Sequence, residues 1–358
     1  MHPHPLRAAR LAAHALPAAQ PDPAAAARRL AATQAQEFWA GRWALGIRTA
    51  GSPTLADVDD AFARGALVRS WTQRGTLHIV AAEDLAWILS VTRERQQRQS
   101  AAMHRRLGID ADAIDRAERA ARAALAGGNR LTRAEFADLV SASGGDVTAS
   151  RGNHLLSALA VRGVVVLGPV VPRAGAPTRE QYLVAAEDWL PDAAPPADPL
   201  AELLVRYLAG HGPAGLADFG WWAGLPIGLA RAAREGAGER VVELDDDLLD
   251  ATHRPPSPSS VPPPPGAALA LPPFDEYYLS YADRSLVCPP DHLAAVGPTL
   301  NGLVRPVLVV DGEVVGTWRH STAVGRHHLD PVPEPFAGGM DAASLDDALA
   351  RFARFLRA

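Results

Sequence analysis

Two glutamines separated by one alanine, Gln34-Ala35-Gln36, are the residues of this chain best suited to handle a reacting water. A carboxamide offers a carbonyl oxygen that accepts hydrogen bonds and an NH2 that donates two, so it can orient a water and hold a second oxygen at once. It remains neutral, which restricts it to bonds whose leaving group departs without a general acid. The competing reading is solvent-facing filler on an Ala-rich helix, where residues i and i+2 point about 200° apart. Both glutamines reach one site only if the backbone there is a helix end, a turn or a strand. Glu37 follows them and is read as a surface charge rather than a base.

About forty residues on, Arg74-Gly75-Thr76-Leu77-His78 falls in the turn of an expected β-hairpin formed by 67–73 and 76–80. Arg74, Thr76 and His78 are candidate DNA contacts, since an arginine on a hairpin turn can reach phosphates or a minor groove. Arg74 is equally able to pin a carboxylate such as Glu83, and His78 to serve as a satisfied structural histidine. The densest basic segment holds Arg93, Arg95, Arg98, Arg105 and Arg106, with Gln96, Gln97 and Gln99 among them. It is either a solvated helix face or one that tracks phosphates, and its surplus of positive charge favours the second.

Net charge is −5, yet residues 1–190 carry 23 Arg against 18 acidic residues and residues 191–358 carry 12 against 22. A basic N-terminal half is compatible with a nucleic-acid partner, because local patches decide that rather than the total. All 35 basic residues are Arg. Without a lysine amine, lysine-dependent lyase and aldolase mechanisms are excluded. The twelve histidines show no metal spacing, and no phosphate-cradling glycine loop occurs, so neither metal nor cofactor is expected. Cys288 is the single cysteine and has no disulfide partner within the chain. The longest apolar runs, such as Val164-Val165-Val166-Leu167, fall far short of the roughly 20 residues that cross a bilayer. The first residues lack the pattern of a secretory signal, and a reduced, cytoplasmic setting is expected.

The elements that must position these residues read as follows. Residues 8–16 and 24–33 are Ala-rich helices split by prolines, and a short helix starts at Trp43. Thr54 caps a helix ending at Gly65, and the hairpin comes next. The order then recurs: a helix over 112–125, another opened by the capping box Thr132-Arg133-Ala134-Glu135, a third over 153–162, then strands at 164–171 and 181–184. Val80-Ala81-Ala82-Glu83-Asp84-Leu85 and Val184-Ala185-Ala186-Glu187-Asp188-Trp189 follow the two hairpins, a short internal repeat. The expected fold is α+β, mainly helical: tandem winged helix-turn-helix units over 1–95 and 96–190, a third, wing-poor copy over 200–252, a Pro-rich loop over 253–266, and a small β-rich unit over 267–358 with a terminal helix. In that last unit Asp311-Gly312 between alternating runs marks a hairpin. The eight tryptophans are assigned to the core. Asp275, Glu276 and Tyr277, with Asp283 and Arg284, form the most polar cluster of the C-terminal part, either structural or lining a cleft.

Gln34-Ala35-Gln36 after a first helix, Trp43-Ala44-Leu45 beyond it, Arg74-Gly75-Thr76-Leu77-His78, and Leu271-Pro272-Pro273-Phe274-Asp275-Glu276-Tyr277 resemble, in this order, the AlkZ/YcaQ type of winged-helix DNA glycosylase. The resemblance runs from about residue 30 to about residue 320. It implies tandem winged helices forming a concave cleft on duplex DNA, with Gln34 and Gln36 as the catalytic element. A related branch carries Asp in place of the second Gln, where this chain has Gln36. A neutral amide pair suits purines alkylated at N7, or adenines at N3, whose cationic base leaves without protonation. The expectation is a monomeric, monofunctional glycosylase acting on alkylated purines in double-stranded DNA. The alternative is a non-catalytic winged-helix DNA-binding regulator, which normally dimerises on a pseudo-palindrome.

Overall fold

A computed structural model describes residues 4–16, 20–148, 150–244, 247–254, 264–336 and 341–357. Helix α1 (Pro5–Ala13) and helix α2 (Pro23–Leu30) each start at a proline, which supplies the helical φ where no N–H partner is needed. Asp22 caps α2 by accepting from Ala25 N. The expected helix over 24–33 ends early. Ala31 turns to φ 57°, and the chain enters strand β1 (Thr33–Gln34). Helix α3 (Phe38–Arg48) follows, then α4 (Leu55–Ala63), opened by the Thr54/Asp57 capping box.

Strands β2 (Leu67–Gln73) and β3 (Thr76–Ala81) form the expected hairpin. Helix α5 (Leu85–Leu107) then runs unbroken for 23 residues. It crosses the boundary expected between residues 95 and 96, because α5 is fastened along β2: buried Gln96 donates from Nε2 to the carbonyls of Trp71 and Thr72 at 3.2 and 2.9 Å. Helices α6 (Ala111–Leu125), α7 (Arg133–Ala142, with the Thr132/Glu135 capping box) and α8 (Arg151–Arg162) lead to β4 (Val165–Val170) and β5 (Gln181–Ala185). The two hairpins do not stand apart. They join through Arg69 opposite Leu167 into one five-stranded antiparallel sheet, ordered β1-β3-β2-β4-β5.

After a short α9 (Ala186–Trp189) come α10 (Pro199–His211), α11 (Leu216–Ala223) and α12 (Ile227–Ala237). They end in a hairpin of β6 (Val241–Glu243) and β7 (Leu249–Ala251), so the copy expected to be wing-poor carries a short two-stranded wing. The expected Pro-rich loop lies largely outside the described residues. The C-terminal unit holds β8 (Ala268–Leu271), α13 (Glu276–Leu279), α14 (Pro290–Val296), β9 (Val307–Val310), β10 (Glu313–Arg319), β11 (Val332–Pro335) and the amphipathic α15 (Ala342–Arg357). Its sheet runs β11-β10-β9-β8, and Asp311-Gly312 makes the β9–β10 turn with both φ positive, 49° and 79°.

Burial shows that these units share cores. The N-terminal helices pack on the C-terminal sheet around Trp43, Phe62, Leu271, Trp318 and Phe352. The Trp43 indole N–H joins them by donating to Ala270 O, while that of Trp318 donates to Leu271 O within the C-terminal unit. A second core joins α5 to α10–α12 through Leu85, Leu204, Tyr207, Phe219 and Trp222, and a third lies between α6–α8 and the β4–β5 hairpin. Six of the eight tryptophans enter one of these as buried or packed residues of the first and second cores, Trp71 enters the third, and Trp221 is exposed.

Candidate active site

The glutamine pair lies outside any helix. Gln34 is on β1, where it faces His78 across the ladder and Ala35 N donates to Leu77 O, and Gln36 follows in a bend before α3. This removes the angular objection that a helix would raise. Ala35, between them, is buried against α3, where a Cβ built on Gly41 would come 2.4 Å from Ala35 Cβ. Only glycine lets α3 close that tightly. Arg69, buried on β2, secures the motif's carbonyls: Nε donates to Ala35 O at 2.8 Å and a terminal nitrogen to Gln36 O at 3.1 Å. The same guanidinium reaches Gln181 Oε1 of β5 at 3.3 Å. Burial lowers the Arg69 pKa to about 9.

Both side-chain carbonyls are engaged by the β2–β3 hairpin. Gln36 Oε1 accepts from Leu77 N at 3.3 Å, standing in for a backbone carbonyl where β1 ends. Gln34 Oε1 accepts from the Arg74 guanidinium at 3.0 Å. Guanidinium and backbone N–H groups only donate, so the oxygen of each amide faces the protein. Each keeps one lone pair and its NH2. Gln36 is exposed, whereas Gln34 is 6% exposed and lies beneath Arg74.

Arg74 and Gly75 form a two-residue turn with φ 53° and 71°. The left-handed conformation costs a non-glycine residue about 1–2 kcal/mol, and here it aims the Arg74 side chain inward. The guanidinium donates to Trp222 O, to Gln34 Oε1 and to His78 Nε2, the last at 3.3 Å. Its pKa is lowered by burial and partly restored by Glu276. Gly224, at the C-terminus of α11, leaves room for the turn: a Cβ there would lie 3.3 Å from Arg74 Cγ. Arg74 thus turns its guanidinium inward, and it does not pair with Glu83, which meets Arg28 instead.

His78 is fully buried, which corrects its reading as a DNA contact. Nε2 accepts from Arg74, leaving Nδ1 to donate to Thr76 O at 3.1 Å. Burial and the adjacent Arg74 charge hold its pKa well below the ordinary histidine value. Thr76 uses its hydroxyl on Gln73 O within the turn.

Beneath Gln34 lies Glu276, from the polar cluster whose role the sequence left open. One carboxylate oxygen accepts from Gln34 N at 2.8 Å, and the other from Trp222 Nε1 at 3.0 Å and Ser280 Oγ at 2.7 Å. Full burial raises its pKa, opposed by Arg74, the Ser280 hydroxyl and the Gln34 N–H. Its neighbour Asp275 is structural. It forms a fully buried bidentate pair with Arg48 at 2.8 and 2.9 Å, fixing the end of α3 to the C-terminal unit. The sequence singled out Glu276 without a role and placed Trp222 in the core, but it did not connect either with the glutamine motif. They lie 242 and 148 residues from the groups they touch, at Gln34 and Arg74, and no local spacing signals them.

Gln36 and Arg74 open onto a cleft of about 700 Å³ between the hairpin turn, α5, the start of α6, and α8. Toward it α5 presents Gln97, Ser100, Ala101 and His104, a largely neutral face. Of the five arginines expected on this segment, Arg105 lines the cleft and is exposed. Arg95 is exposed, Arg98 pairs with Glu94 at 2.6 Å, and Arg106 lies against Met103 Sδ. Arg93 instead donates to Val161 O and ties α5 to α8. Among the described residues no group of three His, Cys, Asp or Glu could hold a metal ion, and no helix is long and apolar enough to cross a membrane.

Comparison with known proteins shows what the chain as a whole is similar to. The family described as DNA glycosylase AlkZ-like matches residues 27–355. An interstrand DNA cross-link repair glycosylase of Streptomyces sahachiroi is 27% identical over 317 residues, which cover 84% of this chain and 83% of that protein. The solved structure of the Streptomyces sahachiroi DNA glycosylase AlkZ superposes with a TM-score of 0.77 at 24% identity, covering 98% of this chain and 95% of that one, and establishes a shared fold.

Proposed function

The chain belongs to the AlkZ-like DNA glycosylase family, and from that premise we propose that it hydrolyses the N-glycosidic bond of alkylated, cationic N7 or N3 purines in duplex DNA, with Gln34 and Gln36 as its catalytic element. The observation carrying this reading is that both amide oxygens are held by the same hairpin, with exposed Gln36 lining the cleft and Gln34 buried behind Arg74. Exposed Gln36 orients a water with its remaining lone pair, and the amide NH2 groups hold sugar or phosphate oxygens. Water oxygen bonds to C1′ as the C1′–N bond breaks and its electrons neutralise the cationic base. The water's proton passes to solvent. No acid is needed, because the positive purine is already a competent leaving group.

The reaction ends at an abasic site, since the chain has no lysine to carry a Schiff base. The three-helix units with their hairpins act as tandem winged helices on the duplex, and the protein works as a monomer. Arg95, Arg98, Arg105 and Arg106 contact phosphates. The cross-link repair named for the Streptomyces sahachiroi relative extends the substrate class to purines bridged to the opposite strand. Single-turnover release of 7-methylguanine from methylated duplex, with Gln34→Ala and Gln36→Ala beside the wild type, tests the reading. Release that collapses in both folded variants is expected. A folded wild type that binds duplex but releases no base favours the DNA-binding regulator.

A further inference from the structure

We infer that Arg74 and Glu276 are positioning residues that hold Gln34 from both ends, and that Arg74 acts on the reaction through Gln34 rather than by touching DNA. This rests on the role proposed for Gln34.

Glu276 fixes the Gln34 backbone through its amide N at 2.8 Å, and Arg74 fixes the side chain through Oε1 at 3.0 Å. The two holding groups are opposite charges in one buried network, and Trp222 joins them: its carbonyl accepts from Arg74 while its indole N–H donates to Glu276 Oε2. Since a guanidinium cannot accept a hydrogen bond, Arg74 settles that the Gln34 amide turns its oxygen to the hairpin and its NH2 away from it. Without it the amide is free to rotate about its last torsion, and the NH2 and C=O positions become interchangeable. Arg74 adopts a left-handed backbone at φ 53° beside Gly75, where asparagine or glycine would be unstrained. A hairpin needing only a tight turn has no use for an arginine folded inward. A hairpin that must deliver a donor to Gln34 does.

The test compares Arg74→Ala, Arg74→Lys and Glu276→Gln with the wild type. It measures the rate of 7-methylguanine release at saturating enzyme, the duplex Kd across a salt series, and the melting temperature. A misplaced catalytic group lowers rates by roughly 10- to 100-fold, and that fall is expected for Arg74→Ala and Glu276→Gln. Arg74→Lys, which retains one donor, should recover part of it. Kd and its salt slope should match the wild type. In a Gln34→Ala background, Arg74→Ala should lower the residual rate no further.

A phosphate contact predicts the opposite: weaker binding, a salt slope smaller by about 1, and an unchanged rate at saturation. That result, or an equal rate loss in the Gln34→Ala background, overturns the inference. So does a rate loss that disappears once corrected for the folded fraction. If the wild type releases base and Gln34→Ala abolishes release while Arg74→Ala matches the wild type, the inference alone falls. If the wild type releases none, the reading of Gln34 falls and takes this inference with it.

Discussion

The two hairpins of the central sheet are alike in sequence setting and different in use. Each is followed by the same Val-Ala-Ala-Glu-Asp run, which begins a helical turn in both places, at Ala82 and at Ala186. The first closes through two residues, Arg74 and Gly75, and its turn is pressed against α11 and Gln34. The second opens into the segment 171–180, whose ends pair through Val171 N and Glu180 O, where Arg173 and Gly175 are exposed, and whose far end is tethered by Arg42 to Thr178 O and Arg179 to Thr322. Its strand β4 also carries Pro169 beside a register shift, where a missing N–H is tolerated. A repeated sequence therefore specifies the hairpin, and the turn side chain together with what lies opposite it decides whether that hairpin builds a site.

Acid should separate the two hairpins most strongly. His78 lies on β3, while β4 and β5 contain no histidine. His78 and the buried His14 are held well below the ordinary histidine value, and His211 is lowered to about 3, in each case chiefly by burial. Such groups bind a proton only on unfolding, so the stability they confer is complete above about pH 6.5 and is lost as pH falls toward the folded values. Each removes about 1.4 kcal/mol per pH unit in that window. Glu276, whose pKa is raised by burial, works the other way from about pH 4.5 upward, retaining a proton that the unfolded chain has lost. Chemical denaturation at pH 7 and pH 5 should show a loss of several kcal/mol. Equal stability at both would remove the histidine account.

Arg74→Asn sharpens the comparison by converting the first turn to Asn-Gly, which suits its left-handed backbone. Stability should hold or rise by up to about 1 kcal/mol, while base release falls roughly 10- to 100-fold. Calorimetry and a single-turnover assay on the same sample check both halves. Gln96→Ala, which leaves the Trp71 and Thr72 carbonyls without their donor, should cost about 1–3 kcal/mol. Amide exchange should then quicken in β2 and not in β4. The smallest effect is a difference between matched changes: Gly75→Val and Gly175→Val both force valine into positive φ. The long second loop can relax and the two-residue turn cannot, so Gly75→Val should be worse by about 1 kcal/mol in a urea titration.

Much of the secondary structure was legible because its signals are local. The Thr54 and Thr132 caps, the Arg74-Gly75 and Asp311-Gly312 turns, and the amphipathic α15 each follow from residues a few positions apart. Reading failed where a distant partner intervened. Helix α2 stops at Leu30 because β3 offers its edge to Thr33 and Gln34. Helix α5 ignores the boundary at residue 95 because Gln96 fastens it to β2. The density of arginine in 93–106 was plain, but not that Arg93 would be spent on α8.

For the candidate site the division is the same. By itself the sequence determined that a neutral glutamine pair, a hairpin with Arg-Gly at its turn and a chain free of lysine occur together, because composition, spacing and turn chemistry are properties of short segments. Only the tertiary structure decided that Gln34 lies on a strand, that Arg74 folds inward, that His78 is buried, and that Glu276 anchors the motif from 242 residues away. Burial and long-range hydrogen bonding depend on which surfaces meet, and no residue's neighbours along the chain specify that.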